Sequence, residues 1–447
     1  MKTRRDLFRE IGWGLGAFAF LSRLGWLPRL EAAVAAAPSD YRALVCLFLF
    51  GGNDGNNTVI PYDEYAAYQQ VRGAQINIPK DSLLKVDAPS QGAAFGLHPA
   101  LAELQPLYAQ GNLAVLANVG TLLQPITRAD YLAGAPRPDS LFSHFDQQDQ
   151  WQSSIARALD PRAQTGWGGR LADAAAALAG SSFPMMISVA GIPLFTTGVN
   201  SRPLVPGANL KGFQATAVSQ ARYAALRTLL TLDTGNVLTG AASAIGAAAI
   251  DDNATLNAAL ASAPKLATAF PSTSLGKQFQ SIANIISVRG ALKTSRQIFF
   301  ASLSGFDTHT DELATQQTLL TQVSQALAAF YAATVELGVA DAVTTFTLSD
   351  FGRTFKPASG GGSDHAWGNH HVVMGGSVKG GDFYGSFPTL ALAGPDDSSN
   401  EGRWIPTTAV DEYGATLARW FGVDGGALAT VFPNIGQFSH TDMGFFR

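Results

Sequence analysis

The sequence predicts an α/β protein built on a mainly parallel sheet, and three features predict it. Continuous apolar runs of strand length recur without polar alternation, as in Ala43–Phe50 (ALVCLFLF), the pattern of a strand buried on both faces. Late in the chain the strand-like run Arg296–Leu303 is followed by a long helical pattern and then by a second such run, Val343–Leu348. Strand, helix, strand implies a crossover between parallel strands. Aspartates stand just beyond three of these runs, where the strand ends of an open parallel sheet meet in one crevice.

Taken in order, the chain begins with a basic segment, residues 2–9, containing Thr3-Arg4-Arg5 with Leu7 and Phe8 behind it. An apolar stretch from Ile11 to Leu21 follows, weakened by Gly12, Gly14 and Gly16 and too short to span a bilayer comfortably. Ala33–Ala37 then offers the small residues a signal peptidase accepts. Residues 1–37 therefore read as a twin-arginine signal, favoured over an ordinary secretory signal or an uncleaved anchor by the paired arginines. The mature chain, 38–447, is expected in the periplasm or outside the cell. Removing residues 1–37, with six Lys/Arg and three Asp/Glu, takes the formal charge from −4 to −7. That balance lacks the basic footprint of a nucleic-acid or anionic-lipid binder. No later run is long and apolar enough to insert in a membrane. Cys46, the only cysteine, lies inside an apolar run and is expected as a buried thiol, with no disulfide to form.

Asn112–Val119 and Met185–Ala190 read as further buried strands, and Leu313–Leu337 places Leu320, Val323, Leu327, Phe330 and Val335 at helical spacing. From about 207 to 292 alanine dominates with leucines at helical intervals, which predicts a helical insertion or cap on a single α/β domain.

The polar residues gather at the strand ends. Asp54 follows Phe50, Asp307 follows Leu303 and Asp350 follows Leu348, each in a glycine-bearing segment. His309 lies two residues after Asp307, His365, His370 and His371 crowd the segment 364–371, and His144 lies in a further polar junction. Carboxylates supply charge, and imidazoles suit borderline metals such as zinc or manganese. Asp54, Asp307, Asp350, His309, His365 and His370 are thus the candidate ligands, with magnesium or calcium as the harder alternatives. A buried polar network tying loops together explains the same residues without a metal. His98 and His440 read as structural.

The segments GGNDGNNT, FSHFDQQDQW, GFDTHTD, SDFGRT and DHAWGNHHVVMGG together resemble a twin-arginine-exported bacterial family, domain of unknown function 1501. The resemblance covers essentially the whole mature chain. That family in turn resembles a distant branch of the alkaline phosphatase and sulfatase superfamily. This implies an alkaline-phosphatase-like sandwich with helices on both faces, and strand ends that carry one or two metals and a nucleophile. Asp54, Ser143, Asp307 with His309, Asp350 and His365 stand in the superfamily's order. The chain departs from the pattern at Phe351, where an imidazole is expected, and at Ser143, which lacks the signature of a formylglycine nucleophile.

The resemblance implies metal-assisted displacement at a phosphate or related ester. Ser143 would be the nucleophile, Arg353 an oxyanion clamp, and Asn53, Asn56 and Asn57 additional donors. Ser143 as a plain helix cap and Arg353 as a partner of a surface carboxylate are the competing readings. The rival function is a catalytically degenerate protein that binds a ligand or an exported partner protein, favoured by Phe351.

Overall fold

The computed structural model describes residues 40–157, 159–206, 216–232 and 235–447. The segment read as a twin-arginine signal and the first residues of the expected insertion lie outside the described residues. Strands follow the chain as β1 (Arg42–Phe50), β2 (Val59–Pro61), β3 (Leu84–Ala88), β4 (Ala93–Leu97), β5 (Leu113–Gly120), β6 (Met186–Ser188), β7 (Arg296–Ser304), β8 (Val343–Ser349), β9 (Asn369–Met374), β10 (Phe383–Tyr384) and β11 (Thr408–Ala409). The central sheet runs β10-β5-β9-β8-β1-β7-β6, with β11 also on β5. Its pairings are parallel except at β9, which runs antiparallel to β5 and β8. Strands β2 to β4 form a small antiparallel sheet beside it. β7 and β8 are parallel as the crossover pattern predicts, but β1 lies between them.

The main helices are α1 (Tyr65–Ile76), α2 (His144–Ser153), α3 (Trp167–Ala174), α4 (Ala217–Leu230), α5 (Val237–Leu260), α6 (Ser274–Ser287), α7 (Glu312–Glu336), α8 (Val410–Phe421) and α9 (Gly425–Val431). They cover both faces of the sheet, and β1 explains why its run shows no polar alternation. Ala43, Val45, Leu47 and Leu49 join a core with Phe279 and Ile282 of α6 and Leu320, Leu327 and Phe330 of α7. Leu44, Cys46 and Phe48 point the other way, into Trp151 of α2, Trp167 of α3 and Tyr413 and Leu417 of α8. Each such fully buried large side chain contributes roughly 1.5–3 kcal/mol.

The alanine-rich region divides in two. α4 buries no side chain, while α5 buries only Ile250, Asn253, Leu256 and Ala259, of which Leu256 and Ala259 join the core on the α6 side of the sheet. α6 instead packs directly on the sheet layer, with Leu275, Phe279, Ile282, Ile285 and Ile286 all buried.

The register sets up the site. Phe50 is opposite Ser304 and Leu49 opposite Ser349, so β1, β7 and β8 end at one edge. At Gly51, φ is +115° and a Cβ would lie 2.4 Å from the Asp307 nitrogen. Only glycine lets β1 turn away this close to the neighbouring loop.

Candidate metal centre

Three imidazoles converge at that edge on the carboxylate of Asp307. His309 Nε2 lies 3.1 Å from Asp307 Oδ1, and the Nε2 atoms of His144 and His365 each lie 3.3 Å from it. His309 and His365 face each other, Nε2 to Nε2, at 3.0 Å. The opposite nitrogen of each ring meets an oxygen. His144 Nδ1 contacts Asp350 Oδ2 at 2.7 Å, His309 Nδ1 contacts Asp364 Oδ1 at 3.1 Å, and His365 Nδ1 contacts the Phe142 carbonyl at 2.8 Å.

That arrangement favours one tautomer, since the Nδ1 contacts of His144 and His365 are shorter than their Nε2 contacts to Asp307. A carbonyl or carboxylate can only accept, so each Nδ1 carries the hydrogen and each Nε2 of a neutral ring presents a lone pair. Three nitrogen lone pairs and a carboxylate oxygen then point at one another, which is repulsive unless a cation lies among them. Protonating all three rings would crowd three positive charges beside the Arg353 guanidinium. Burial lowers the proton affinity of His365, which opposes that solution. His144 Nε2 is moreover buried without a hydrogen-bond partner. Imidazoles oriented through Nδ1 by oxygens, with Nε2 free, are the usual form of metal-ligating histidine. The donor atoms of His144, Asp307 and His365 lie within 4.8 Å of one another.

The electrostatics fit. Burial raises the Asp307 carboxyl, but the hydrogen bond and charge of Arg353 outweigh it and hold the group at about 2. The Asp350 hydrogen bond raises His144 above its ordinary value, so the same contact strengthens it as a ligand.

The sequence-based candidates are sorted by this geometry. Asp307, His309 and His365 come together. Asp350 stands one step back: its side chain is buried, and it accepts from the Gly51 N–H at 3.1 Å and from Gln148 and His144. Asp54 needs correction as a ligand, because its buried carboxylate is paired with Arg72 at 2.8 Å and caps the turn Gly55–Thr58. His370 also needs correction: its Nδ1 accepts from the Asn118 N–H at 3.0 Å and its ring stacks on Phe387.

Arg353 is no exposed clamp. Its guanidinium is fully buried and donates to the carbonyls of Gly51, Gly52, Phe306 and Ser363 as well as to Asp307. The Ser143 hydroxyl accepts from the Asp146 N–H as the N-cap of α2, so its geometry is that of a cap. Asn53, Asn56 and Asn57 are buried and hydrogen-bonded inside the fold. His144, the residue after Ser143, is the member of the cluster that sequence reasoning placed in a polar junction without giving it a role. Phe351 packs against the rings of His144 and His365 at 4.7 and 4.6 Å and forms an apolar wall of the cluster.

Comparison with known proteins places the chain in a family. Residues 41–400 match the model of DUF1501, described as a protein of unknown function, and the chain belongs to that family. No curated protein sequence matches it. Among solved structures, the chain is similar to Ps i-CgsB in complex with k-i-k-neocarrahexaose, at 9% identity and a TM-score of 0.36, over 90% of this chain and 77% of that one. A mutant of the alkaline phosphatase PafA matches at 11% identity and a TM-score of 0.24, over 71% and 64% of the two chains.

Proposed function

We propose that this DUF1501 member binds one divalent transition metal through His144, His309, His365 and Asp307 and hydrolyses a phosphate or related ester there. The observation that supports it is the convergence of three Nε2 lone pairs on one ionised carboxylate. Three imidazoles and one carboxylate suit zinc or manganese better than magnesium or calcium, which favour all-oxygen sets. A cation held there would supply Lewis-acid polarisation of an ester oxygen. Asp350 and Asp364 hold the tautomers of His144 and His309, and Arg353 fixes the Asp307 carboxylate. A polar cavity of about 400 Å3 borders His309, lined in part by Thr310, Lys356, Ser359, Asp364 and Glu401, and offers room for the rest of an anionic substrate. A cleaved signal at residues 1–37 would put this chemistry outside the cytoplasm.

One observation favours a binding protein of the same fold over an enzyme: the Ser143 hydroxyl is engaged as a helix cap. The deciding experiment is elemental analysis of natively exported protein, followed by a screen of phosphate mono- and diesters with and without chelator. Stoichiometric zinc or manganese and chelator-sensitive turnover are expected, both lost in His144→Ala. Stoichiometric metal without turnover would favour the binding reading. A stable wild-type chain that takes up neither metal would sink the metal-dependent hydrolase and favour the binding reading.

A further inference from the structure

Behind the imidazoles lies a second cluster, sealed from solvent. The side chains of Asp54, Arg72 and Glu312 have no exposed surface. Arg72 meets Asp54 through two contacts of 2.8 and 2.9 Å and reaches Glu312 Oε1 at 3.5 Å. The other oxygen, Glu312 Oε2, accepts from the Thr308 hydroxyl at 3.3 Å and from the Ser363 hydroxyl. Thr308 lies between Asp307 and His309 in sequence, and Ser363 immediately precedes Asp364 and His365. The two loops also meet backbone to backbone, the Ser363 N–H donating to the Thr308 carbonyl at 3.1 Å.

We infer that Glu312 is a positioning residue of the metal centre, one carboxyl group on α7 that holds together the two loops carrying Asp307, His309 and His365. The inference rests on the metal reading above and extends it to a residue that touches no ligand directly. Two carboxyl groups share a single guanidinium, so one of them is held neutral. Burial and the neighbouring Asp54 charge raise Glu312, while Asp54, for all its burial, is lowered by Arg72. Glu312 is therefore the neutral partner. Its Oε1 offers a hydrogen towards Asp54, and its Oε2 is left to accept from both hydroxyls. Glutamine reproduces that pattern, with its amide NH2 in place of the O–H and its carbonyl in place of Oε2. Leucine fills the space and reproduces none of it. Partners that orient metal ligands typically carry 10–100-fold of metal affinity.

The experiment measures zinc affinity of the full chain by competition with a chromophoric chelator. Variants are Glu312→Gln, Glu312→Leu and the double change Thr308→Val with Ser363→Ala, each also melted in excess chelator. The double variant leaves the Arg72 pair untouched and so keeps the test clear of gross unfolding. Glu312→Leu and the double variant are expected to bind zinc about 10–100-fold more weakly, the double variant still unfolding in one cooperative transition in chelator, somewhat below wild type because Oε2 loses its donors. Glu312→Gln should stay within about threefold of wild type, well short of the loss a missing partner brings. Wild-type affinity in the double variant overturns the inference while leaving the metal site standing. A Glu312→Gln chain as weak as Glu312→Leu overturns the neutral hydrogen-bonding role. No zinc uptake by wild type would instead be a failure of the metal reading itself, and this inference would fall with it.

Discussion

Arg353 carries a positive charge with no solvent around it, and five oxygens take the place of water. Its Nη2 reaches the Gly51 carbonyl at 2.6 Å, the Phe306 carbonyl at 3.0 Å and Asp307 Oδ1 at 2.5 Å. Nε and Nη1 bind the Gly52 and Ser363 carbonyls at 2.9 and 3.0 Å. The loops after β1 and β7 and the loop before His365 therefore share one cation, which keeps Asp307 ionised and aimed at the three imidazoles. Arg353→Met should strand several buried carbonyls at about 1–3 kcal/mol for each one left unsatisfied. Stability to denaturant and zinc affinity are expected to fall together. A pure rise in KM at unchanged stability would restore the substrate-clamp reading. The sequence places an arginine at a strand end next to a buried aspartate, and that much is legible. How many carbonyls turn towards it depends on three loops distant in the chain, which no local pattern records. Ser143 and His144 teach the same lesson at one-residue resolution. The helix start is readable, but its cap faces the backbone while the next side chain faces the site.

At the scale of elements, apolar runs gave reliable strands because a strand covered on both faces needs apolar residues at every position. β1, β7 and β8 begin and end within a residue or so of expectation, and their ends carry Asp307 and Asp350 to the right edge. β9 was hidden for the opposite reason. Its sequence, NHHVVM, opens on polar residues and looks ligand-rich. Strand alternation sends adjacent side chains to opposite faces, so His370 stacks on Phe387 while His371 packs against Trp151. Of the histidines in this segment only His365, from the loop ahead of the strand, reaches the Asp307 cluster. The glycine at the end of β1 is the most demanding local feature. Gly51→Ala would combine a left-handed backbone, costing on the order of 1–3 kcal/mol, with a Cβ placed 2.4 Å from the Asp307 nitrogen. That contact is with backbone and cannot be relieved by a rotamer change. Thermal unfolding and zinc titration should both show the defect. Wild-type zinc affinity in Gly51→Ala would mean that the Asp307 loop is free to move and that the site is not preorganised by β1.

The whole molecule buries several titratable groups in uncharged form, and that sets its response to pH. Burial pushes His98 and His370 down to about 4 and His371 down to about 3, against an ordinary value near 6.5. A histidine lowered on folding gives stability that is present above the unfolded value and lost as pH falls through the folded one, because the unfolded chain takes up the proton first. Burial raises Asp411 to about 7 and also raises Glu312. Their contribution has the opposite sign, present below the unfolded carboxylate values and lost as pH rises through the folded ones. Between about pH 4 and 6.5 the two sets therefore oppose each other, and above the unfolded histidine value only the carboxylates remain, so stability should fall as pH rises past about 6.5. The clean test of the histidine part is a difference between two chains that keep the histidines of the candidate site in common. His371 suits it. Its ring packs between Trp151 and Tyr413, its Nδ1 meets the Thr347 hydroxyl at 3.3 Å, and its Nε2 is buried without a partner. In His371→Phe the lost Thr347 contact costs the same at every pH, whereas the proton taken up by the unfolded wild type disappears. Between pH 6.5 and about 4 the variant should gain on wild type by roughly 1.4 kcal/mol per pH unit, the value of one proton. Denaturant unfolding of both chains in chelator at several pH values measures that difference directly. A difference that stays flat as the pH falls would show that His371 is protonated inside the folded protein, and that its environment is far more polar than Trp151 and Tyr413 make it.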